Sequence, residues 1–286
     1  MRRSANFLPR AVPDRYDLAV DEIVDNPLRV AVLGLGEAGT AIAADLLAAG
    51  AQVSGWDPDG EPGLDGLRFA AGNAAAVADA GVVLSVNWAS VAVEVGAEVA
   101  GALAPEAVFA DLNTAAPERK RQVAAEVERA GARFVDVALL SPVPGRGLAT
   151  PAFASGSGAE ALVAALAPLG AEVEVLGPAA GEAAERKLLR SVFVKGMAIA
   201  ALESIEAARA AGREEWLREH LAATIEGADA AFLERLVAGS RPHAKRRGEE
   251  MAAAAEMLAS LGTPSPISRA AGEWYEQLAE EGADAR

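Results

Sequence analysis

From Leu28 onward the chain alternates between two hydrophobic rhythms. Short runs of consecutive apolar residues, rich in valine, read as strands buried on both faces. They cover Val30–Leu33, Gln52–Trp56, Val82–Val86, Val108–Asp111, Arg133–Val137, Ala152–Ser155 and Glu172–Leu176. Between them, Ala- and Leu-rich stretches at helical spacing occupy about 40–49, 73–79, 91–104, 117–130 and 159–169. Pro117 suits the first turn of its helix, with Thr114 as the expected cap before it. Strand–helix alternation at this spacing predicts right-handed βαβ units and a mostly parallel, doubly wound α/β sheet. After Gly177-Pro-Ala-Ala-Gly181 the text turns helical throughout, broken at Gly212, Ser240-Arg-Pro242 and Gly262-Thr-Pro264. Three parts are therefore expected: an uneven polar extension over 1–27, a Rossmann-type α/β domain over 28–180, and an all-α domain over 181–286. The stretch 182–211 carries no proline and predicts one long helix, with a bend expected at Gly196. A helix of that length needs a partner along much of its surface, which points to a homodimer through the C-terminal helices.

The chemistry-bearing segment follows the first strand. Val30–Leu33 runs directly into Gly34-Leu35-Gly36-Glu37-Ala38-Gly39 and then a helix. Gly34 suits a tight turn, Gly36 a close approach of backbone to a pyrophosphate, and Gly39 close packing of helix on strand. The pyrophosphate would sit on the helix N-terminus, where unpaired N–H groups and the dipole favour an anion. The bland alternative is a plain tight turn. The next strand ends in Trp56-Asp57, and a carboxylate there accepts hydrogen bonds from ribose hydroxyls and repels a 2′-phosphate. With no Arg or Lys in Pro58-Asp-Gly-Glu61, NAD is favoured over NADP. Asp57 as a mere cap of the following turn, or Asp59 sharing its role, are the competing readings. Asn87-Trp88 and Asn113-Thr114 end later strands and border the same crevice, with Trp88 either walling the cofactor or packing.

Composition narrows the classes. The 286 residues leave room for about two domains. A net charge of −15 argues against nucleic acid and anionic membrane as partners. There is no cysteine and there are only two histidines, His220 and His243, so thiol chemistry is absent and a metal centre is not expected. No apolar h-region follows Arg2-Arg3, so no secretory leader is expected, and no apolar run reaches a membrane span; a soluble cytoplasmic protein acting on a small molecule is the expectation.

Four segments in order carry a family resemblance: the glycine turn, Asp111-Leu-Asn-Thr-Ala-Ala-Pro117, Gly131-Ala-Arg-Phe-Val-Asp136 and Gly181-Glu-Ala-Ala-Glu-Arg-Lys187. Over about 28–275 the chain resembles the β-hydroxyacid dehydrogenases, which include 3-hydroxyisobutyrate and 6-phosphogluconate dehydrogenases. Lys187-Leu-Leu-Arg-Ser-Val-Phe-Val-Lys-Gly196 and His243-Ala-Lys-Arg-Arg247 are similar to a branch described as phosphogluconate-dehydrogenase-like, with a distinct C-terminal domain. The resemblance implies hydride transfer between a nicotinamide cofactor and the alcohol or ketone of a small, anionic substrate. It places Lys187 as the acid/base and Asn113 at the nicotinamide ribose. A lysine can take or give the hydroxyl proton near neutral pH if burial or neighbouring cations such as Arg186 and Arg190 disfavour its charge. Its bland alternative is a solvated helix lysine.

Departures from the family pattern fall on the substrate side. Where the family has asparagine four residues after the lysine, this chain has Ser191. Lys195, one turn on, shares a slowly spiralling stripe with Lys187 and Ser191 and either holds a substrate anion or stays a surface charge. The family's Ser-Gly-Gly loop is here Asp136-Val-Ala-Leu-Leu-Ser-Pro142, with Ser141 displaced and Pro142 lacking an N–H. That loop predicts a more apolar pocket near Leu139 and Leu140, with Arg146 as a substitute anion contact. Arg246, within His243, Arg246, Arg247 and Glu250 at i, i+3, i+4 and i+7, stands in for a lost lysine or belongs to a salt-bridged face. Imine reduction on the same fold, and NAD binding without turnover, are the alternative functions.

Overall fold

The computed structural model describes residues 27–284, so the expected extension over 1–27 lies almost wholly outside the described residues. They form two compact units that divide in sequence between Leu188 and Leu189.

The first unit is built on one sheet of eight strands in the order β3-β2-β1-β4-β5-β6-β7-β8. The strands are β1 Arg29–Leu33, β2 Gln52–Trp56, β3 Arg68–Phe69, β4 Val82–Ser85, β5 Val108–Asp111, β6 Arg133–Leu139, β7 Ala152–Ser155 and β8 Val173–Gly177. All neighbours are parallel except β6 and β7. The period of two in each strand sends alternate residues to opposite layers. Val30, Val32, Val82, Leu84, Val108, Ala110 and Val135 face α1 (Glu37–Ala48) and α5 (Ala159–Leu166). Ala31, Leu33, Val83, Phe109 and Phe134 face α2 (Asn73–Val77), α3 (Ala92–Ala100) and α4 (Pro117–Arg129). Burial on both faces is why these strands read as continuous apolar runs.

Three local expectations need correction. The first helix starts at Glu37, three residues earlier than its apolar period indicates, because the glycine turn leads straight into it. The two-residue strand β3 was not anticipated, since Arg68-Phe69 is too short to show a period. Thr114 does not cap α4: Ala116 occupies that position without a side-chain cap, and the Thr114 hydroxyl bonds elsewhere.

The second unit is helical. Helix α6, Glu182–Ala210, runs from the first unit into the second and passes through Gly196 without interruption. It is followed by α7 Glu214–Glu226, α8 Ala230–Ala238, α9 Ala244–Ser260 and α10 Pro266–Asp284. Helices α9 and α10 pack against each other, with Gly248 meeting Tyr275 and Gly272 meeting Met251. The start of α10 is held by Glu203 on α6, whose carboxylate accepts from the Ile267 and Ser268 N–H groups, both at 2.8 Å, and from the Ser268 hydroxyl at 2.6 Å. Among the described residues no helix is long and apolar enough to cross a membrane.

Candidate active site

The strand order reverses direction at β1 and β4, and in open α/β sheets this is where ligands bind, at the carboxyl ends of the strands. The glycine turn follows β1 there. Gly34 has φ +94°, and a Cβ on it would strike the Val86 carbonyl. A Cβ on Gly39 would collide with the Gly34 carbonyl, so this glycine lets α1 pack on the turn. Gly36 differs from both. A Cβ there would meet nothing in the protein, so its side is open to a ligand. Gly36 is also the N-terminal cap residue of α1, with no side chain capping the helix. The first-turn N–H groups of Glu37, Ala38 and Gly39 therefore keep the anion-binding character of a helix start.

Asp57, at the tip of β2, accepts from the Leu35 N–H at 2.6 Å and from the Asp59 N–H at 2.8 Å. The carboxylate thus clamps the glycine turn and also shapes the turn after it. Each of its oxygens retains a second lone pair for a further donor. Asp59 itself is exposed. Trp56 is half-buried against the α2–α4 layer, whereas Trp88 is 83% exposed, so it packs on nothing extensive.

The ends of β4 and β5 supply the next wall. Ser85 is buried, and its hydroxyl receives the side-chain amides of Asn87 at 3.0 Å and of Asn113 at 3.3 Å. That serine was missed from sequence; its signal is a small polar residue closing an all-apolar strand. The Asn113 side-chain oxygen is buried and has no hydrogen-bond partner within the protein. Thr114 follows, and its hydroxyl accepts from Lys187 Nζ at 2.8 Å. Lys187 lies in the first turns of α6, and Asn113, Thr114, Lys120, Asp136, Ala184 and Lys187 line one small cavity.

Part of that lining belongs to a cluster whose partners were not apparent in the sequence. Asp111 and Asp136 are direct neighbours on the parallel strands β5 and β6, and both are fully buried. Lys120 of α4, only 1% exposed, places its Nζ at 3.2 Å from a carboxylate oxygen of each and donates to the Asp111 carbonyl at 2.7 Å. Burial pushes the Asp136 carboxyl above its ordinary range, opposed by the Lys120 ammonium and the Ala184 N–H. Lys120 was detectable in principle, because it stands at i, i+3, i+4 and i+7 with Val123, Ala124 and Val127 on the buried face of α4.

The remaining expected residues do not belong to that cavity lining. Ser141, just past β6, has a buried hydroxyl without a partner. Arg146 is exposed, and Arg186 is paired with Glu182 at 2.6 Å. Ser191 and Lys195 lie on the stretch of α6 that belongs to the second unit, the first half-buried and the second exposed. Arg246 is bound to Glu250 at 2.6 Å on exposed α9, which is the salt-bridged face that the spacing offered as an alternative.

Residues 29–171 match the NAD binding domain of 6-phosphogluconate dehydrogenase. The chain belongs to this family. Residues 208–278 match a domain of unknown function, DUF1932. A conserved hypothetical protein from Sinorhizobium meliloti 1021 is similar at 29% identity, with 88% of each chain covered and a TM-score of 0.58. A conserved protein of unknown function, reported as structurally similar to 3-hydroxyacid dehydrogenases, matches at 28% identity over 88% of this chain and 97% of that one, with a TM-score of 0.58. A reductive aminase from Aspergillus terreus, in complex with NADPH and ethyl-5-oxohexanoate, shares the fold at 20% identity, covering 90% and 95% of the two chains with a TM-score of 0.74. Over 144 residues the chain is 29% identical to a 28.5 kDa protein of Methanothermus fervidus, spanning 55% of that relative. For a member of the 6-phosphogluconate dehydrogenase NAD-binding family, the residues present fit a nicotinamide dinucleotide: an open Gly36, an uncapped helix start and an unpartnered Asn113 oxygen converge on one strand edge.

Proposed function

We propose that this protein is an NAD(P)-dependent oxidoreductase that interconverts an alcohol and a ketone in a small, anionic, hydroxy-acid-like substrate, with Lys187 as the acid/base. The observation that carries the reading is the Lys187 amine held on the Thr114 hydroxyl at 2.8 Å, beside the unpartnered Asn113 oxygen. When bound, the nicotinamide supplies or accepts the hydride. Gly36 and the start of α1 hold the pyrophosphate, Asp57 the adenosine ribose, and Asn87 and Asn113 the nicotinamide half. Lys187 takes the hydroxyl proton during oxidation and returns it during reduction, with Thr114 fixing the amine. Ser141 and Ser191 are assigned to orient the substrate, and Lys195 to attract its anionic group. Arg246 serves as an anion contact only at the expense of its bond to Glu250.

NAD is the favoured form, because the Asp57 carboxylate repels a 2′-phosphate and offers lone pairs to ribose hydroxyls. The reading includes a homodimer through the C-terminal helices, supported by exposed Leu189, Val192, Phe193, Met197 and Leu202 on α6. An apolar display of that kind is unusual for a helix facing only water.

The test begins with titration of NADH and NADPH, read by quenching of tryptophan emission. Tight NADH and weak NADPH binding is the expected result, and the reverse order overturns the cofactor assignment. Hydroxy acids, their ketones and imines are then screened for turnover. Lys187→Ala should reduce turnover at least a hundredfold while cofactor binding stays within about twofold. Turnover of imines alone, or indifference to Lys187→Ala, would remove the alcohol–ketone assignment.

A further inference from the structure

Of the chain's 26 lysines and arginines only four are lysines, and two of these, Lys120 and Lys187, line the same cavity. The chemistry above uses Lys187 and leaves Lys120 without a task. Burying an ammonium between two carboxylates is costly, and apolar side chains of similar volume often stabilise a fold equally well. The cluster's hydrogen bonds point to a different role. Each carboxylate divides its oxygens between Lys120 and one backbone N–H at the edge of the site. Asp111 accepts from the Asn113 N–H at 2.9 Å, and Asp136 accepts from the Ala184 N–H at 2.8 Å. Asn113 precedes Thr114 in the chain. Ala184 lies three residues before Lys187, on the same side of α6. The Lys187–Thr114 bond then closes a ring: Lys120, Asp111, Asn113, Thr114, Lys187, Ala184, Asp136 and back to Lys120.

We propose that Lys120, together with Asp111 and Asp136, is a positioning unit that fixes where the Lys187 amine stands relative to the end of β5. The inference rests on the reading of Lys187 as the acid/base. The donor pattern around Asp136 is specific to a carboxylate. One oxygen is ion-paired with the Lys120 ammonium at 3.2 Å without a hydrogen bond, and the other accepts from the Ala184 N–H at 2.8 Å, so negative charge is wanted on one side and an acceptor on the other. An amide in its place can accept on only one side and turns an NH₂ toward a donor on the other. Lys120 in turn bridges two carboxylates on neighbouring strands and offsets their mutual repulsion.

The experiment uses the full chain with its lysines labelled at the ε carbon, giving four signals that single Lys→Arg substitutions assign. Amide hydrogen exchange is followed on the same protein, and NADH binding is measured in parallel. In Lys120→Met the Lys187 signal should move by more than its linewidth while those of Lys195 and Lys245 stay. Exchange of the Ala184 N–H should accelerate at least tenfold more than that of the β1 amides, with NADH affinity within about twofold. Asp136→Asn leaves Lys120 and Asp111 as a one-to-one pair and should give the same displacement, so it decides the matter if Lys120→Met does not fold. An unmoved Lys187 signal, or exchange that rises equally in Ala184 and β1, would mean that the cluster only stabilises the fold and would overturn the proposal. If Lys187→Ala retains turnover, the acid/base reading falls, while a displaced signal still establishes that Lys120 positions the amine.

Discussion

At the level of single residues, three glycines in one motif carry separable duties. Gly39→Ala drives a methyl group into the Gly34 carbonyl and should destabilise the first unit by about 2–3 kcal/mol, measured by chemical denaturation. Gly36→Ala meets no protein atom and loses only some N-cap preference, so stability should fall by about 1 kcal/mol at most, yet NADH affinity should fall at least tenfold. Equal losses of stability and binding in the two variants would mean that Gly36 serves the turn and not a ligand. Lys120→Met leaves two buried carboxylates without a counter-ion and should cost about 3–5 kcal/mol. The glycines were legible in the sequence because their spacing repeats a local backbone task. The Lys120 cluster was not, because Asp111, Lys120 and Asp136 meet only after two strands pair and a helix lies across them.

Among the elements, α6 and α10 show how one side chain orders a helix start. Burial alone would raise the Glu203 carboxyl, but the hydrogen bonds from Ser268 and Ile267 outweigh it and hold the group below its ordinary value. A carboxyl lowered in the folded state contributes stability that is present at neutral pH and lost as acid protonates it. Glu203→Gln should therefore cost about 1 kcal/mol at pH 7, with the difference from wild type shrinking below about pH 4. Denaturation of both proteins across pH 3–7 checks this. Asp136 acts in the opposite sense, because its raised carboxyl takes up a proton in the folded state first. Both proteins share that contribution, so it cancels in the difference. At this scale the long helix was legible from a proline-free helical stretch and the alternation of strands from period, whereas two-residue β3 and the antiparallel turn of β7 were not. Register and strand direction are settled by neighbouring strands, which a local pattern does not contain.

For the molecule as a whole, the exposed apolar side chains of α6 bear on assembly. If they form the core of a dimer, Val192→Asp with Phe193→Asp should give a folded monomer by light scattering, with helix content unchanged by circular dichroism. A wild-type protein that is already monomeric at micromolar concentration would rule the dimer out. Cofactor choice also belongs here, since Asp57 on β2 acts on the glycine turn after β1 through the Leu35 N–H. If Asp57 disfavours a 2′-phosphate as proposed, Asp57→Ala should loosen that turn and raise NADPH affinity relative to NADH, read in the same titration.

The sequence by itself determined the α/β class, the switch to an all-helical second part and the position of the glycine turn. These follow from hydrophobic period and from backbone freedom, which are properties of neighbouring residues. Only the tertiary structure decided that Thr114 serves Lys187 instead of capping α4, that Arg186 and Arg246 are held by Glu182 and Glu250, and that Ser85 gathers two asparagine amides. It also decided that a buried lysine joins β5, β6 and α6. A side chain's partner is chosen by which groups the fold brings within about 3 Å, and sequence spacing carries that distance only within a single helix or turn.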